Sequence, residues 1–134
     1  IFGYSGEIEY FVAVSIIKKI YQGREEITRA RQYIENNWNE PFSLSKTARA
    51  ACLSKAQFLK LFKKHTGTTP HEYYINYKIN ILKEKLLDTN LSIAQAFSAC
   101  NMNYNGYYAK LFREKVGVSP AEYRKNSEQR ARLV

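Results

Sequence analysis

Phe58-Leu59-Lys60-Leu61-Phe62, followed by Gly67 and by Pro70-His71-Glu72-Tyr73, returns fifty residues later as Tyr108-Ala109-Lys110-Leu111-Phe112, Gly117 and Pro120-Ala121-Glu122-Tyr123. Of the sixteen pairs from 58/108 to 73/123, seven are identical: Lys60/Lys110, Leu61/Leu111, Phe62/Phe112, Gly67/Gly117, Pro70/Pro120, Glu72/Glu122 and Tyr73/Tyr123. Upstream the match continues at a shift of forty-nine, pairing Ser43-Leu44 with Ser92-Ile93, Ala50 with Ala99 and Leu53 with Met102, so the second copy carries one extra residue near Tyr104. A repeat of this period is one supersecondary unit written twice.

The local signals inside each copy are helical. Ser54-Lys-Ala-Gln57 and Ser92-Ile-Ala-Gln95 have the spacing of a capping box, a hydroxyl before the helix and an amide three residues on. Thr69-Pro-His-Glu72 and Ser119-Pro-Ala-Glu122 place a cap hydroxyl, a proline at the first helical position and a glutamate at the third. Gly67 and Gly117 stand where a helix must end in a left-handed residue. Each copy therefore resolves into helix, tight turn, helix, turn and helix.

On a helix from Lys55 to His65, a period of 3.6 puts Phe58, Leu61 and Phe62 on one face and Ala56, Lys60 and Lys63 opposite, with Leu59 at the flank. The second copy places Tyr108, Leu111 and Phe112 inward, Gly106, Lys110 and Arg113 outward and Ala109 at the flank. Small residues among long cations suit a helix that lies close against a polyanion. A shorter apolar helix precedes each, with Leu44, Ala48 and Ala51 in the first and Ile93, Ala96 and Phe97 in the second. Two helices joined in this way form a helix-turn-helix. Between the units, Ile75, Ile79, Leu82 and Leu86 make a stripe along Tyr74 to Asp88, which predicts one long helix joining them. Upstream, Ile27, Ala30, Ile34 and Trp38 mark a further amphipathic helix.

The net charge of +9 is concentrated on the repeats. Residues 43–125 hold fourteen Lys and Arg against five Asp and Glu, whereas residues 1–42 hold five against six. A basic excess placed like this faces a polyanion. No apolar run reaches the roughly eighteen residues a membrane span needs, so we expect no membrane association. Cys52 and Cys100 are too few for a disulfide framework or a zinc site, and with no CxxC we read both as small buried residues of a reduced, cytoplasmic protein. His65 and His71 have no partner at ligand spacing, and we expect surface positions for them. No metal or other cofactor is expected.

With these residues in place, the stretch from about Ile27 to Lys125 resembles the AraC/XylS family DNA-binding domain. The resemblance is carried by Ser43-Leu44, Ala48, Ser54, Phe58, Lys60, Phe62-Lys63-Lys64 and Thr66-Gly67, then by Leu86-Leu87-Asp-Thr89, Ser92-Ile93, Tyr107-Tyr108, Lys110, Phe112, Gly117-Val-Ser-Pro120 and Glu122-Tyr123-Arg124. It implies an all-α fold of about seven helices, two helix-turn-helix units on a long central helix. The first unit is expected at about 43–67, the linker helix at about 71–88 and the second unit at about 92–117. This DNA-binding domain is expected to span 24–126, with a tail over 127–134.

The chain departs from the family pattern at three places. Cys52 and Asn101 stand where each turn usually has Gly, and of the two only Asn is at ease with a left-handed backbone. Ala96-Phe97 exchanges the usual large and small residues. Lys60 and Lys110 replace Arg and so lack the planar fork that grips guanine bidentately.

The resemblance implies a sequence-specific transcription regulator on double-stranded DNA, bacterial, with RNA polymerase as a further partner. Ala56, Leu59, Lys60, Asn105, Gly106, Ala109 and Lys110 are the expected base-reading residues. Ser54, Lys55, Lys63, Lys64, Asn103, Tyr104 and Arg113 are expected to position the sugar-phosphate backbone. The first unit, with the fuller basic face, is expected to dominate binding. An enzyme would need a nucleophile, base and orienter that converge, and none is visible. RNA recognition would need exposed aromatics, whereas Tyr73, Tyr108 and Tyr123 fall at core positions. A protein-interaction scaffold with a degenerate helix-turn-helix surface is the alternative.

Residues 1–23 lie outside the resemblance. The Gly-containing start and the β-branched run from Ile8 to Ile17 read first as a hairpin, and Gly6 to Val14 is similar to the last strand of a PAS sensor domain. Alternatively, Ile8, Phe11, Val12, Ser15, Ile16, Lys19 and Ile20 line a helix used for homodimerisation. The chain begins at Ile1 without an initiator Met or an export signal, and we expect a longer protein with an upstream domain.

Overall fold

The structure is a computed structural model that describes the backbone of residues 2–133 and side-chain surroundings from residue 9 onward. Among the described residues it contains eight helices and no strand: α1 (Phe2–Tyr21), α2 (Arg24–Asn36), α3 (Leu44–Ala50), α4 (Lys55–Thr66), α5 (Pro70–Leu86), α6 (Ile93–Ala99), α7 (Gly106–Val116) and α8 (Pro120–Leu133). Helices α3 and α4 form the first helix-turn-helix, α6 and α7 the second, and α5 runs between them.

The repeat is legible in the packing. Phe62 meets Tyr73 edge to face at 5.6 Å between ring centroids, and Phe112 meets Tyr123 the same way at 5.8 Å. Each tyrosine is half-buried and covered by a cation, Arg31 over Tyr73 and Lys83 over Tyr123. Gly67 and Gly117 end α4 and α7 at φ 80° and 96°, and each donates its N–H back to the residue four before it, Lys63 or Arg113, at 2.8 Å. Thr69 and Ser119 accept from the backbone of Glu72 and Glu122, as the Thr-Pro and Ser-Pro spacing predicts.

Two small cores result. Ile27, Ala30, Ile34, Ala48, Ala51, Phe58, Phe62 and Tyr74 fill the first, while Ile79, Leu82, Leu86, Ala96, Phe97, Cys100, Met102 and Phe112 fill the second. Ile75 packs against both, so the central stripe is the shared wall of the molecule. Ala96 and Phe97 are both fully buried, which is the packing an exchange of large and small requires. Arg124 closes the second unit by donating to the carbonyls of Leu86 at 2.8 Å and Asp88 at 3.4 Å at the end of α5.

Several expectations need correction. The hairpin and PAS-like strand reading of the first residues is overturned, because Phe2 to Tyr21 is continuous helix. Physically, Tyr10 to Ile17 lacks the apolar-polar alternation of a half-buried strand and no turn residue interrupts it after Gly6. The helical part of the alternative is the one the backbone fits, although Ile1 and the side chain of Ile8 lie outside the described residues. The expected tail is helical as well, continuing α8 to Leu133, with Val134 outside the described residues. Trp38 lies beyond the end of α2 and packs against the second core instead of continuing the first helix face.

Cys52 is exposed, and it is left-handed at φ 59°. That conformation costs a non-glycine residue on the order of 1–2 kcal/mol. It is imposed by the turn, where Leu53 N–H returns to the Ala48 carbonyl just as Met102 N–H returns to Phe97. Gln57 also fails to complete its capping box: Ser54 accepts from Gln57 N–H, but only Ser92 and Gln95 bond reciprocally. His65 is half-buried, with Nε2 2.8 Å from the Gln22 carbonyl.

Among the described residues one charge is buried without a carboxylate partner. Lys78 on α5 is 6% exposed, donates to the Tyr74 hydroxyl at 3.3 Å and lies over that ring. Burial pushes its ammonium below the ordinary lysine range.

Candidate nucleic-acid interface

The surface of interest is built from the outward faces of α4 and α7. Each helix buries its aromatic side, Phe58 and Phe62 in one and Phe112 in the other, and this orients everything else on it. Ser54 fixes the start of α4 by accepting from Gln57 N–H at 3.3 Å. Asn105 fixes the start of α7, its Oδ1 accepting from Tyr108 N–H at 3.1 Å. Relative to the repeat, α7 begins one residue later, since Tyr104 offers no short acceptor and its ring packs on Phe97 at 4.9 Å.

Most of the residues singled out by sequence come to this face. Ala56, Leu59, Lys60 and Lys63 are exposed on α4, with Ser54 and Lys55 exposed at its start. On the second unit, Gly106, Lys110 and Arg113 are exposed along α7, and Asn103 and Tyr104 precede it. Three positions differ from a simple outward placement. Ala109 is half-buried, the Asn105 oxygen is taken by its own helix, and Lys64 turns toward α1 and donates to the Lys19 carbonyl at 3.4 Å.

Charge on the two units is unequal. Helix α4 carries Lys55, Lys60, Lys63 and Lys64 and no acid. In α7 the cations are Lys110, Arg113 and Lys115, with Glu114 among them, and Lys115 is paired with Glu72 at the start of α5. The hydrogen bond from Lys115, and its charge, hold the Glu72 carboxyl below its ordinary range.

Two residues belong to this surface that sequence reasoning left off the site. Tyr107 is 69% exposed on the same side of α7 as Lys110, edge to face with Tyr108. Its repeat partner Gln57 is exposed too, and that equivalence was the available signal. Arg49 lines an open groove with Ser45, Cys52 and Lys55 at the first turn. A different groove in the second unit, about 360 Å³, runs along the outer face of α7 to the start of α8 and is lined by Tyr104, Gly106, Ala109, Lys110, Arg113 and Ser119. Among the described residues no group of three or more His, Cys, Asp or Glu is placed to hold a metal ion, and no helix is long and apolar enough to cross a membrane.

Two helix-turn-helix units on one connecting helix, each offering a capped, cationic second helix, define a double helix-turn-helix domain. A family model described as a helix-turn-helix domain matches residues 47–126, and the chain belongs to that family, in its AraC/XylS branch. Among relatives, the HTH-type transcriptional regulator ArgR of Pseudomonas aeruginosa is 25% identical over 111 residues, 83% of this chain and 34% of that protein. A solved transcriptional regulator of the AraC-type DNA-binding class from Chromobacterium violaceum superposes with a TM-score of 0.70 at 29% identity, over 76% of this chain and 91% of that one. The DNA-binding domain of AdpA, solved in complex with a target DNA, shares the fold at a TM-score of 0.69 and 22% identity, over 78% of this chain and 94% of that one. The chain spans about a third of the length of the curated relatives it matches.

Proposed function

We propose that this chain is the DNA-binding end of a sequence-specific transcription regulator that works in the cytoplasm and acts with RNA polymerase. The observation that carries the reading is the pair Lys60 and Lys110, identical in the repeat and exposed at one position of two equivalent helices. Helices α4 and α7 enter successive major-groove segments on one face of the duplex. Ala56, Leu59, Lys60, Gly106, Ala109 and Lys110 meet base edges there, with Leu59 and Ala109 against thymine methyls. Ser54, Lys55, Lys63 and Arg113 hold phosphates, joined by backbone donors at the helix starts. Selection from a random duplex library at moderate salt is expected to enrich a motif with two parts. Affinity for the enriched duplex should fall linearly in log salt as phosphate contacts are lost. Recovery of no motif would leave the scaffold reading in its place.

Helix α1 gives this end a second partner, another copy of the chain. Tyr10, Phe11, Val12, Ile16, Ile17 and Ile20 are all more than half exposed along it, more apolar surface than a solvated helix carries. Glu9 near one end and Lys18 and Lys19 near the other complement each other when two copies run antiparallel. Sedimentation is expected to give a dimer that dissociates on dilution, and a monomer at all concentrations for Ile16→Glu with Ile20→Glu. A wild-type chain that stays monomeric at high concentration would contradict this pairing.

A further inference from the structure

We propose that Asn101 is a positioning residue that sets the angle between the two recognition helices, an inference resting on the DNA-reading function above. Asn101 is left-handed at φ 53° at the turn between α6 and α7, in the second unit. Its Nδ2 donates at 2.6 Å to the carbonyl of Asn39, sixty-two residues earlier, in the connector between α2 and α3 of the first unit. Contact between the units away from α5 is thereby made by a specific hydrogen bond to main chain.

The connector that receives it is itself built. Glu40 N–H closes a turn on the Asn37 carbonyl at 3.1 Å, and Asn37 Nδ2 ties back to the Tyr33 carbonyl at 2.8 Å. Successive carbonyls then face two different parts of the molecule. That of Asn39 takes Asn101, and that of Glu40 takes the Tyr74 hydroxyl of the central helix at 2.6 Å. Trp38 of the same connector packs against the second core. The pair Lys115 and Glu72 ties α7 to the start of α5, but both side chains keep solvent contact and an exposed pair of this kind adds little. The Asn101 bond is exposed too, but it joins a short side chain held in a turn to a fixed main-chain carbonyl, whereas the ion pair joins two long side chains. It is the directional element that, beside the packing of Trp38, sets where the α6–α7 turn and the start of α7 sit relative to α4. Positioning of this kind matters to DNA reading because both helices must meet their grooves at once, and any freedom between them must be removed on binding.

Asn101 also separates two effects that mutation usually mixes. Asn101→Gly suits the left-handed backbone and removes the donor. Asn101→Asp keeps the size and the tolerance of that backbone but cannot donate to a carbonyl. Residual dipolar couplings on the full chain, free of DNA, read the relative orientation directly. In wild type, one alignment tensor should fit the amides of α2 to α4 and of α6 to α8 together. In both variants, the common tensor should be lost while each unit still fits its own. On DNA, the wild-type preference for a duplex carrying both parts of the enriched motif over one carrying only the first should fall by about fivefold in either variant, the loss of one ordinary hydrogen bond. A common tensor retained in both variants would overturn the proposal. Absence of any wild-type preference for the two-part duplex would instead count against the DNA reading, and the tensors would still decide the role of Asn101.

Discussion

Replacing Lys60 and Lys110 by alanine is expected to cost about 1–3 kcal/mol of specific DNA binding at each position and to leave the fold intact. Both side chains are exposed, and neither has a hydrogen bond or ion pair within the chain among the described residues. Surface substitutions of this kind usually change stability by less than about 0.5 kcal/mol. The two sites sit in separate units, so the losses should nearly add in the double variant. Salt dependence tells what each lysine touches. If it holds a phosphate, the slope of log affinity against log salt falls by about 1 and every sequence is weakened alike. If it reaches a base edge, the slope changes less and discrimination at one position relaxes. The first unit, whose α4 carries four lysines and no acid, is expected to suffer more from Lys60→Ala than the second from Lys110→Ala. Titration of labelled duplexes with the three variants measures this, and unchanged affinity in all three would put the DNA on a different face.

The opposite outcome is expected for Phe62→Ala. This ring is fully buried, lies 5.5 Å from Phe58 and 5.6 Å from Tyr73, and closes the first core beneath the recognition face. Removing a buried phenylalanine costs about 3–5 kcal/mol, part of it lost transfer energy and part the cavity left behind. That is a large share of the 5–15 kcal/mol that holds a typical domain together. Thermal unfolding should fall by more than about 10 °C, and DNA binding should be lost with the fold. Because Ile75 is shared between the cores, loosening should reach the second unit as well. A stability change below about 1 kcal/mol would mean that the first core does not depend on the Phe62–Tyr73 contact.

How much of this was legible in the residues depends on the distance over which each feature is determined. The caps at Thr69 and Ser119, the glycine stops at 67 and 117 and the outward lysines are set within one turn of helix, and the repeat let each be read twice. Over Phe2–Tyr21 the β-branched composition points to strand and the periodicity does not, and periodicity decides. A run with no alternation and no turn residue after Gly6 goes helical despite Val12, Val14, Ile16 and Ile17. Cys52 was misplaced for a related reason: the α3–α4 turn demands φ > 0, and the chain accepts the strain and leaves the thiol in solvent. Lys78 falls beside the Ile75, Ile79 and Leu82 stripe of α5, so its burial follows the helical period, and only its bond to the Tyr74 hydroxyl is beyond what the pattern shows. Asn101 was read as a residue at ease in a left-handed turn, which it is. Its bond to Asn39 depends on two segments meeting across the molecule, and no local pattern encodes that.

The central claim is that two equivalent helices read one duplex together. Hydroxyl-radical footprinting on the library-enriched duplex tests it most directly. The account predicts two protected segments on one face of the helix, their centres about one turn or ~34 Å apart, with the distal one lost in Lys110→Ala and both weakened in Lys60→Ala. A single protected segment, unchanged by Lys110→Ala, or uniform protection without phase along the duplex, would contradict it.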